Sequence, residues 1–382
     1  MTSKPKICLI AATPLTIHFF FKQHIRQMSK WADVVLVYNK QLDDHIIIRE
    51  INACVKHIPI MRKVSIIWDL WALVLLSFHI KKEKYDMVVT VVPKAGTLGM
   101  IAAKLSKTPV RLHIFQGKVW AARSGLPRLV FKLADNVTAK LATNLLAVSS
   151  SERGFLYSNT INSGKHIDVL GAGSICGVNT KKFRPNKNIG KKQRNLMGIP
   201  ESAVVALFLG RICEDKGIVE LVEVFYKLAR DIPNLWLIIA GPDEEKLTTK
   251  LTALVDKNVR NRLIFTGYCD NPVQMLTASD FLCLLSYREG FGLSVIEAAA
   301  CAVPSLGSKI HGLRDAVVDG ETGWLVSLGD RVEITNAMRQ LASNEALRLQ
   351  MGLRAQERAK SLFEQGEVIG EYNRYFRNLL HY

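Results

Sequence analysis

The sequence lacks any pattern that would tie its cysteines together. Cys8, Cys54, Cys176, Cys213, Cys269, Cys283 and Cys301 form no C-x-x-C pair, and no Cys and His cluster has zinc spacing. A scattered, odd-numbered set argues against a disulfide scaffold or a structural zinc module and predicts reduced thiols in a cytosolic protein. Long apolar runs are missing too. The best candidate, SIIWDLWALVLLSFHI at 65–80, is interrupted by Asp69, whereas a spanning helix needs about 20 residues almost free of charge. It predicts a buried helix, with contact at a membrane interface as the second reading, and not an integral membrane protein. At the start of the chain, Lys4 and Lys6 run straight into ICLIAA, which predicts a strand and no secretory leader.

Acidic residues are scarce in one half only. Residues 1–185 hold 27 Lys and Arg against 10 Asp and Glu, a balance of +17, while residues 186–382 hold 24 of each and sum to zero. Such asymmetry points to an anionic partner for the basic half, either nucleic acid or an acidic membrane surface. A solvated face that only aids solubility is the plain alternative. No helix-turn-helix, RNP-like aromatic motif or zinc module supports the nucleic-acid reading. With 48% apolar and 22% charged residues over 382 positions, the chain can build two cores.

Short β-rich runs alternate with helical patterns throughout. Strands are expected at 6–11, 33–38, 86–92, 110–115, 144–149 and 167–171, then at 203–210, 235–241, 262–267 and 281–286. Helices are expected near 16–30, 66–82, 96–106, 127–142 and 150–158, then near 216–230, 243–257, 271–278, 292–302 and 331–345, with two more over 346–379. Apolar strands alternating with helices imply parallel sheets covered on both faces, so the two series predict two Rossmann-like α/β domains. The polar, basic stretch KKFRPNKNIGKKQRNLMGIP at 181–200 reads as the join. The expected division is 1–185, a linker at 186–200, a second domain at 201–360, and 361–382 as a C-terminal helix returning to the first domain.

In open α/β sheets, ligands meet the carboxyl ends of strands, where helix N-termini offer N–H groups. Two such ends carry unusual polar equipment. In LFLGRICEDKGIVELVEVF, Gly210 lets the chain turn, Arg211 and Lys216 bracket the loop as a candidate diphosphate clamp, and Asp215 can cap the helix that follows. The alternative is two surface cations on an ordinary loop. In FLCLLSYREGFGLSVIEAAA, the amides of Phe291, Gly292 and Leu293 stand at a helix start, with Glu289 above and Glu297 more than a turn below. Carboxylates that accept from hydroxyls, beside cations and amides that meet phosphates, suit a nucleotide sugar.

At these residues the chain resembles the retaining, metal-independent family-four nucleotide-sugar glycosyltransferases, which have the GT-B fold. The resemblance rests on Glu289 and Glu297 separated by seven residues, on Gly210-Arg211, on FTGYCDNPVQMLTASDF at 265–281 and on CAVPSLGSKIHGLRDAVVDGETGWLV at 301–326. It covers roughly 200–326 closely. It implies two Rossmann-like domains facing across a cleft, with the donor on the second, the acceptor on the first, and closure during turnover. By resemblance Glu289 holds the donor sugar, Glu297 the ribose, and Arg211 and Lys216 the leaving diphosphate. Gly210, Tyr268, Phe291, Gly292 and Leu293 complete the donor set.

The first half matches more loosely, through TVVPKAGTLGMIAAKL and RLHIFQGKVWAARSGLPRLVFKLADNVTAKLAT, and looks like bacterial enzymes that extend lipid-linked glycans. Two departures stand out: the first loop, AATPLT, has no Gly, and Gln116-Gly117 replaces the His-Gly often found there. Thr13, Lys94, His113 and Gln116 are the acceptor-side candidates. His113, alternating with apolar neighbours, reads as a core residue before a sugar contact, and Lys94 sits on what could be an ordinary turn. Basic residues interleaved with large apolar ones over 118–140 fit an interfacial patch or a buried amphipathic helix with a solvated face. The implied activity is transfer of an N-acetylhexosamine from a UDP-sugar to a polyprenyl-diphosphate-linked saccharide, with no cofactor, no metal and no nucleic acid, on the cytoplasmic face of the inner membrane. A nucleotide-sugar epimerase on the same fold is the alternative.

Overall fold

The structure, a computed structural model, describes residues 4–40, 53–61, 65–121 and 123–382. The chain forms two compact units, one of Met1–Cys176 with Gly366–Tyr382 and one of Gly177–Gln365.

The first unit is a seven-stranded, all-parallel sheet of β1 (Lys6–Ile10), β2 (Asp33–Tyr38), β3 (Cys54–His57), β4 (Met87–Val91), β5 (Val110–Phe115), β6 (Asn144–Ala147) and β7 (Ile167–Asp168), in the order β3-β2-β1-β4-β5-β6-β7. The order reverses between β1 and β4, which opens a switch point at their carboxyl ends. After β1 comes α1, which starts at Pro14–Thr16, passes through a π-helical segment Ile17–Phe21 and ends as Lys22–Met28. Further helices are α2 (Ile66–Glu83), α3 (Pro93–Leu105), α4 (Gly125–Leu141) and α5 (Ser150–Ser158). Gly99 of α3 lies against Thr90 and Ile10 with no room for a side chain, which brings the helix close onto the sheet, and α3 packs between α2 and α4, where Thr97 Oγ1 lies 3.0 Å from Thr138 Oγ1.

The helix expected at 66–82 forms, but it is not buried. Only Ala72, Leu76 and Ile80 face the core, while Ile67 is 80% and Phe78 71% exposed. A segment apolar on nearly every side carries no signal of which side will pack, and here α3 covers one stripe alone.

The second unit is also all-parallel, with β8 (Val204–Leu209), β9 (Leu235–Ala240), β10 (Leu263–Gly267), β11 (Phe281–Leu284), β12 (Ser305–Ser308) and β13 (Gly323–Val326) in the order β10-β9-β8-β11-β12-β13. Its switch point lies between β8 and β11. The helices are α6 (Lys187–Leu196), α7 (Ile218–Asp231), α8 (Thr248–Ala253), α9 (Lys257–Arg260), α10 (Pro272–Thr277), α11 (Leu293–Ala300), α12 (Arg331–Ser343) and α13 (Glu345–Leu362). On α7 the expected apolar face, Ile218, Leu221, Val222 and Phe225, is buried.

The segment expected as a linker is instead helix α6 of this unit. Arg194 donates to the carbonyls of Ala278 and Ala203 and pairs with Asp280 at 2.7 Å, which itself accepts from the Val205 amide. The basic composition of 186–200 belongs to an exposed helix face rather than to a free join. Strands β3, β12 and β13 escape the sequence pattern because each is four residues long and carries Gly, Ser or charge instead of a β-branched run. The helix expected at 243–257 is shortened to α8 because Asp243 accepts from the amides of Leu247 and Thr248 and fixes a loop first.

The last helix, α14 (Gln365–Leu379), belongs from Gly366 onward to the first unit. Tyr372 meets His24 edge to face at 4.9 Å, Trp31 Nε1 donates to Asn373 at 2.7 Å, and Tyr375 donates to Asp168 at 2.9 Å.

Behind β5 the first unit buries a polar cluster. Lys118 lies with Nζ 3.6 Å from Asp135 and 3.8 Å from the centre of the Phe115 ring. Trp120 donates to Asp135 at 2.7 Å, and the Gly117 amide donates to Glu152 at 2.7 Å. Burial pushes the Glu152 carboxyl up to about 8 against the pull of Lys118. Lys118 is therefore the counter-charge of the buried Asp135, while Glu152 stays largely protonated at pH 7. Lys118→Met should destabilise the protein by about 3 kcal/mol, because Asp135 would lose its counter-charge without regaining water. Urea unfolding at pH 7 measures this, and an unchanged midpoint would show that the cluster is held by something else.

Candidate active site

The loops that follow β8 and β11 meet at the second unit's switch point. Gly217, in the left-handed region at φ 64°, lies so close to the Leu285 carbonyl that a Cβ would overlap it, which locks the β8 loop onto the end of β11. Across this junction Lys216 Nζ contacts Glu289 Oε1 at 2.6 Å, with both side chains largely buried, and Ser286 donates to the same oxygen at 2.8 Å. Gly312 rests against the Glu289 backbone with no room for a side chain, so the loop after β12 buttresses this carboxylate from behind.

Arg211 pairs with Glu244, from the loop after β9. Asp215 sits among the cations: Arg288 binds it at 2.8 Å and the Cys213 thiol donates to it at 2.8 Å. Burial would raise the Asp215 pKa, but that thiol together with Arg288, Lys216 and Arg211 holds it below the usual carboxylate range. Asp215 therefore does not cap α7, as its position suggested; Gly217 takes the cap, without a side-chain hydrogen bond. Asp215 instead gathers three cations. The Cys213 thiol is pushed up to about 12 by burial and by Asp215, which makes it an unreactive donor.

Helix α11 starts where expected, with Gly292 as its left-handed N-cap at φ 71°. Its leading amides point toward the carboxyl edge of the sheet. The Phe291 side chain packs edge to face with Phe363 at 5.2 Å, and the residue as a whole is 3% exposed, so its side chain offers no surface to a ligand. Leu293 opens the helix, and Gly210 continues β8 by donating its amide to Ala240 at 3.0 Å. Glu297 lies partly buried one turn down. Burial pushes its carboxyl up to about 7, opposed only by Lys182. Lys182 also acts on Cys269, next to the exposed Tyr268 at the end of β10. The donor-side candidates thus fall into two groups: Lys216, Glu289 and the Asp215 cations together, and Glu297 with Lys182 toward Tyr268. Sequence reasoning passed over Glu244, Arg288, Ser286 and Lys182; Ser286 and Arg288 stand inside the quoted 281–300 stretch, but only the folded loops show what they pair with.

A hollow of about 470 Å³ beside Pro200, Trp236 and Arg262 lies at the amino ends of β8, β9 and β10. That is the wrong edge for a ligand of an open α/β sheet.

The acceptor-side candidates lie in the first unit. Thr13 follows β1 and caps α1, accepting from the Thr16 amide. Lys94 stands at the start of α3, ion-paired with Asp69 of α2. Gln116 follows β5 directly. His113 is enclosed, at 1% exposure, with its ring over Gly96 and Nδ1 2.8 Å from Thr90 Oγ1. Burial, then Lys118, keeps it neutral, and no sugar reaches it from solvent. Among the described residues no group of three His, Cys, Asp or Glu is placed to hold a metal ion.

Residues 191–358 match the family of glycosyl transferases group 1. This stretch is a group 1 glycosyltransferase domain. It contains every donor-side candidate named above except Lys182. Over 348 residues, 89% of this chain and 90% of the relative, the protein is 27% identical to the capsular polysaccharide biosynthesis glycosyltransferase CapM of Staphylococcus aureus. It is 27% identical over 82% of its length to the UDP-Gal:alpha-D-GlcNAc-diphosphoundecaprenol alpha-1,3-galactosyltransferase of Escherichia coli, covering 84% of that enzyme. It is 26% identical over 74% of its length to the N,N'-diacetylbacillosaminyl-diphospho-undecaprenol alpha-1,3-N-acetylgalactosaminyltransferase of Campylobacter jejuni, covering 75% of it. Sucrose-phosphate synthase of Thermosynechococcus elongatus shares the fold at a TM-score of 0.82 and 20% identity, over 99% of this chain and 100% of that one. The fold is GT-B.

The raised Glu297 pKa has a consequence for stability. An acid whose folded pKa exceeds its unfolded one costs stability as pH rises from about 4.5 to about 7, since only the unfolded chain sheds the proton freely. Glu297→Gln should therefore raise Tm by a few degrees at pH 8 and leave it nearly unchanged at pH 5. Thermal unfolding at the two pH values checks this; a gain of equal size at both would remove the titration as its cause.

Proposed function

We propose that this glycosyltransferase is retaining and metal-independent and moves an N-acetylhexosamine from a UDP donor to a polyprenyl-diphosphate-linked saccharide. The observation that carries the reading is the Lys216–Glu289 pair at the switch point of the second sheet. It sets a cation for the diphosphate beside a carboxylate for the sugar hydroxyls. The relatives whose names specify lipid-diphosphate acceptors, one with a UDP-sugar donor and one an N-acetylgalactosaminyltransferase, support the choice of substrates.

In this mechanism Arg211, Lys216 and the leading amides of α11 meet the pyrophosphate, and their fixed charges favour the departing UDP over the bound donor. The bond from the anomeric carbon to the phosphate oxygen breaks as the acceptor hydroxyl oxygen approaches from the same face. Its proton passes to the leaving phosphate oxygen, so no enzymic nucleophile is required. Glu289 accepts from sugar hydroxyls, and the ionised Glu297 grips the ribose diol; Tyr268 lies toward the base. Because Glu297 titrates near 7, donor affinity should rise as pH passes through that value. The acceptor lies on the first unit, where Thr13, Lys94 and Gln116 stand at strand ends, and the enzyme works at the cytoplasmic face of the membrane.

Transfer from UDP-N-acetylhexosamine to a prenyl-diphosphate saccharide should fall at least about 100-fold in Glu289→Ala and in Lys216→Met, assayed at a temperature where both variants remain folded. It should survive EDTA and give a product with the donor's anomeric configuration by NMR coupling. Near-normal turnover by Glu289→Ala would remove the site assignment, and an inverted product would remove the mechanism.

A further inference from the structure

Helices α2, α3 and α4 form one layer of the first unit, with α3 in the middle packed on both neighbours. Each outer helix turns an apolar stripe to solvent. On α2 the buried residues, Ala72, Leu76 and Ile80, recur at i, i+4; opposite them Ile67, Trp71, Val74 and Phe78 recur at the same spacing, all more than half exposed. On α4 the buried residues are Asp135, Thr138 and Ala139, and Leu129 and Leu133 stand out at 62% and 61% exposure. Soluble monomers seldom leave so much contiguous large apolar surface uncovered.

Charge selects what covers it. All three helices run antiparallel to parallel strands, so their last turns share one edge, and exposed lysines stand there on each: Lys81 and Lys82 on α2, Lys104 on α3 and Lys140 on α4. The half of the chain that builds this layer carries the whole +17. A second copy packed stripe on stripe would add another net-basic half-chain, whereas an anionic bilayer would satisfy the stripe and the rim together. No helix among the described residues is long and apolar enough to cross a membrane, so the helices would lie in the interface.

We propose that α2 and α4 are a two-helix interfacial anchor that lays its paired apolar stripes into the headgroup layer of an anionic bilayer, with the lysine rim on the lipid phosphates. The opposite ends of the helices, carrying Ile67 and Trp71, lie at the carboxyl edge of the sheet, where α3 begins with Lys94. A prenyl diphosphate could then keep its chain in the bilayer while its phosphates reach Lys94. This last step rests on the lipid-linked acceptor proposed above; the anchor itself does not.

The full-length protein is sedimented with phosphatidylcholine vesicles and with vesicles containing about a third phosphatidylglycerol. Wild-type protein should partition into the anionic vesicles at least about tenfold better, and brominated acyl chains should quench tryptophan fluorescence there. Trp71→Glu with Phe78→Glu, and separately Leu129→Glu with Leu133→Glu, should each cut partitioning about tenfold or more while UDP affinity and Tm hold. Partitioning unaffected by both variants overturns the proposal. So does a solution dimer, seen by light scattering, that either variant dissolves. Transfer to a short-chain, water-soluble prenyl-diphosphate acceptor without vesicles tests the acceptor reading separately, since its failure leaves vesicle binding untouched.

Discussion

The contact between Lys216 and Glu289 organises the second unit's functional edge. It joins the loops after β8 and β11 across the point where the strand order reverses, and it holds only because Gly217 lets the first loop lie against the Leu285 carbonyl. A cation and a carboxylate kept 2.6 Å apart and mostly out of water fix each other's geometry. The surrounding pairs, Arg211 with Glu244 and Arg288 with Asp215, extend the same device. Charge is arranged before any ligand's charge arrives, which is what electrostatic preorganisation requires.

The two carboxylates of the motif are not equivalent. Glu289 has a cation and a hydroxyl as partners; Glu297 has burial and a distant lysine. One is pinned, and the other sits near its own titration point. The first unit handles buried charge differently: Lys118, Asp135 and Glu152 are enclosed behind β5, beside a neutral His113. There the charges brace the Gln116–Lys118 turn from inside, whereas in the second unit they line the strand ends.

Most of the fold was legible. Strands such as MVVTV and VVALFL are continuous apolar runs, and a parallel sheet covered on both faces leaves no other way to write them. The motif pair Glu289 and Glu297 was legible because carboxylates in an Ala- and Ile-rich helix demand a reason. The strands SLGS and GWLV were not, since neither pattern nor propensity marks them. The basic segment 186–200 looked like a linker because exposed helix faces and linkers share a composition; Arg194 distinguishes them only through partners far along the chain.

By itself, then, the sequence determined two parallel α/β units, the charge asymmetry between them, and the local groups at the ends of β8 and β11, because each is written within one strand–loop–helix stretch. Tertiary structure alone decided which face of α2 would be covered, that His113 would be sealed off, that Asp215 would collect cations instead of capping a helix, and that Glu244, Arg288 and Lys182 would join the site. Those outcomes depend on which distant segment packs against which. Local periodicity does not encode that choice when a helix is apolar all round or a polar residue has several partners within reach.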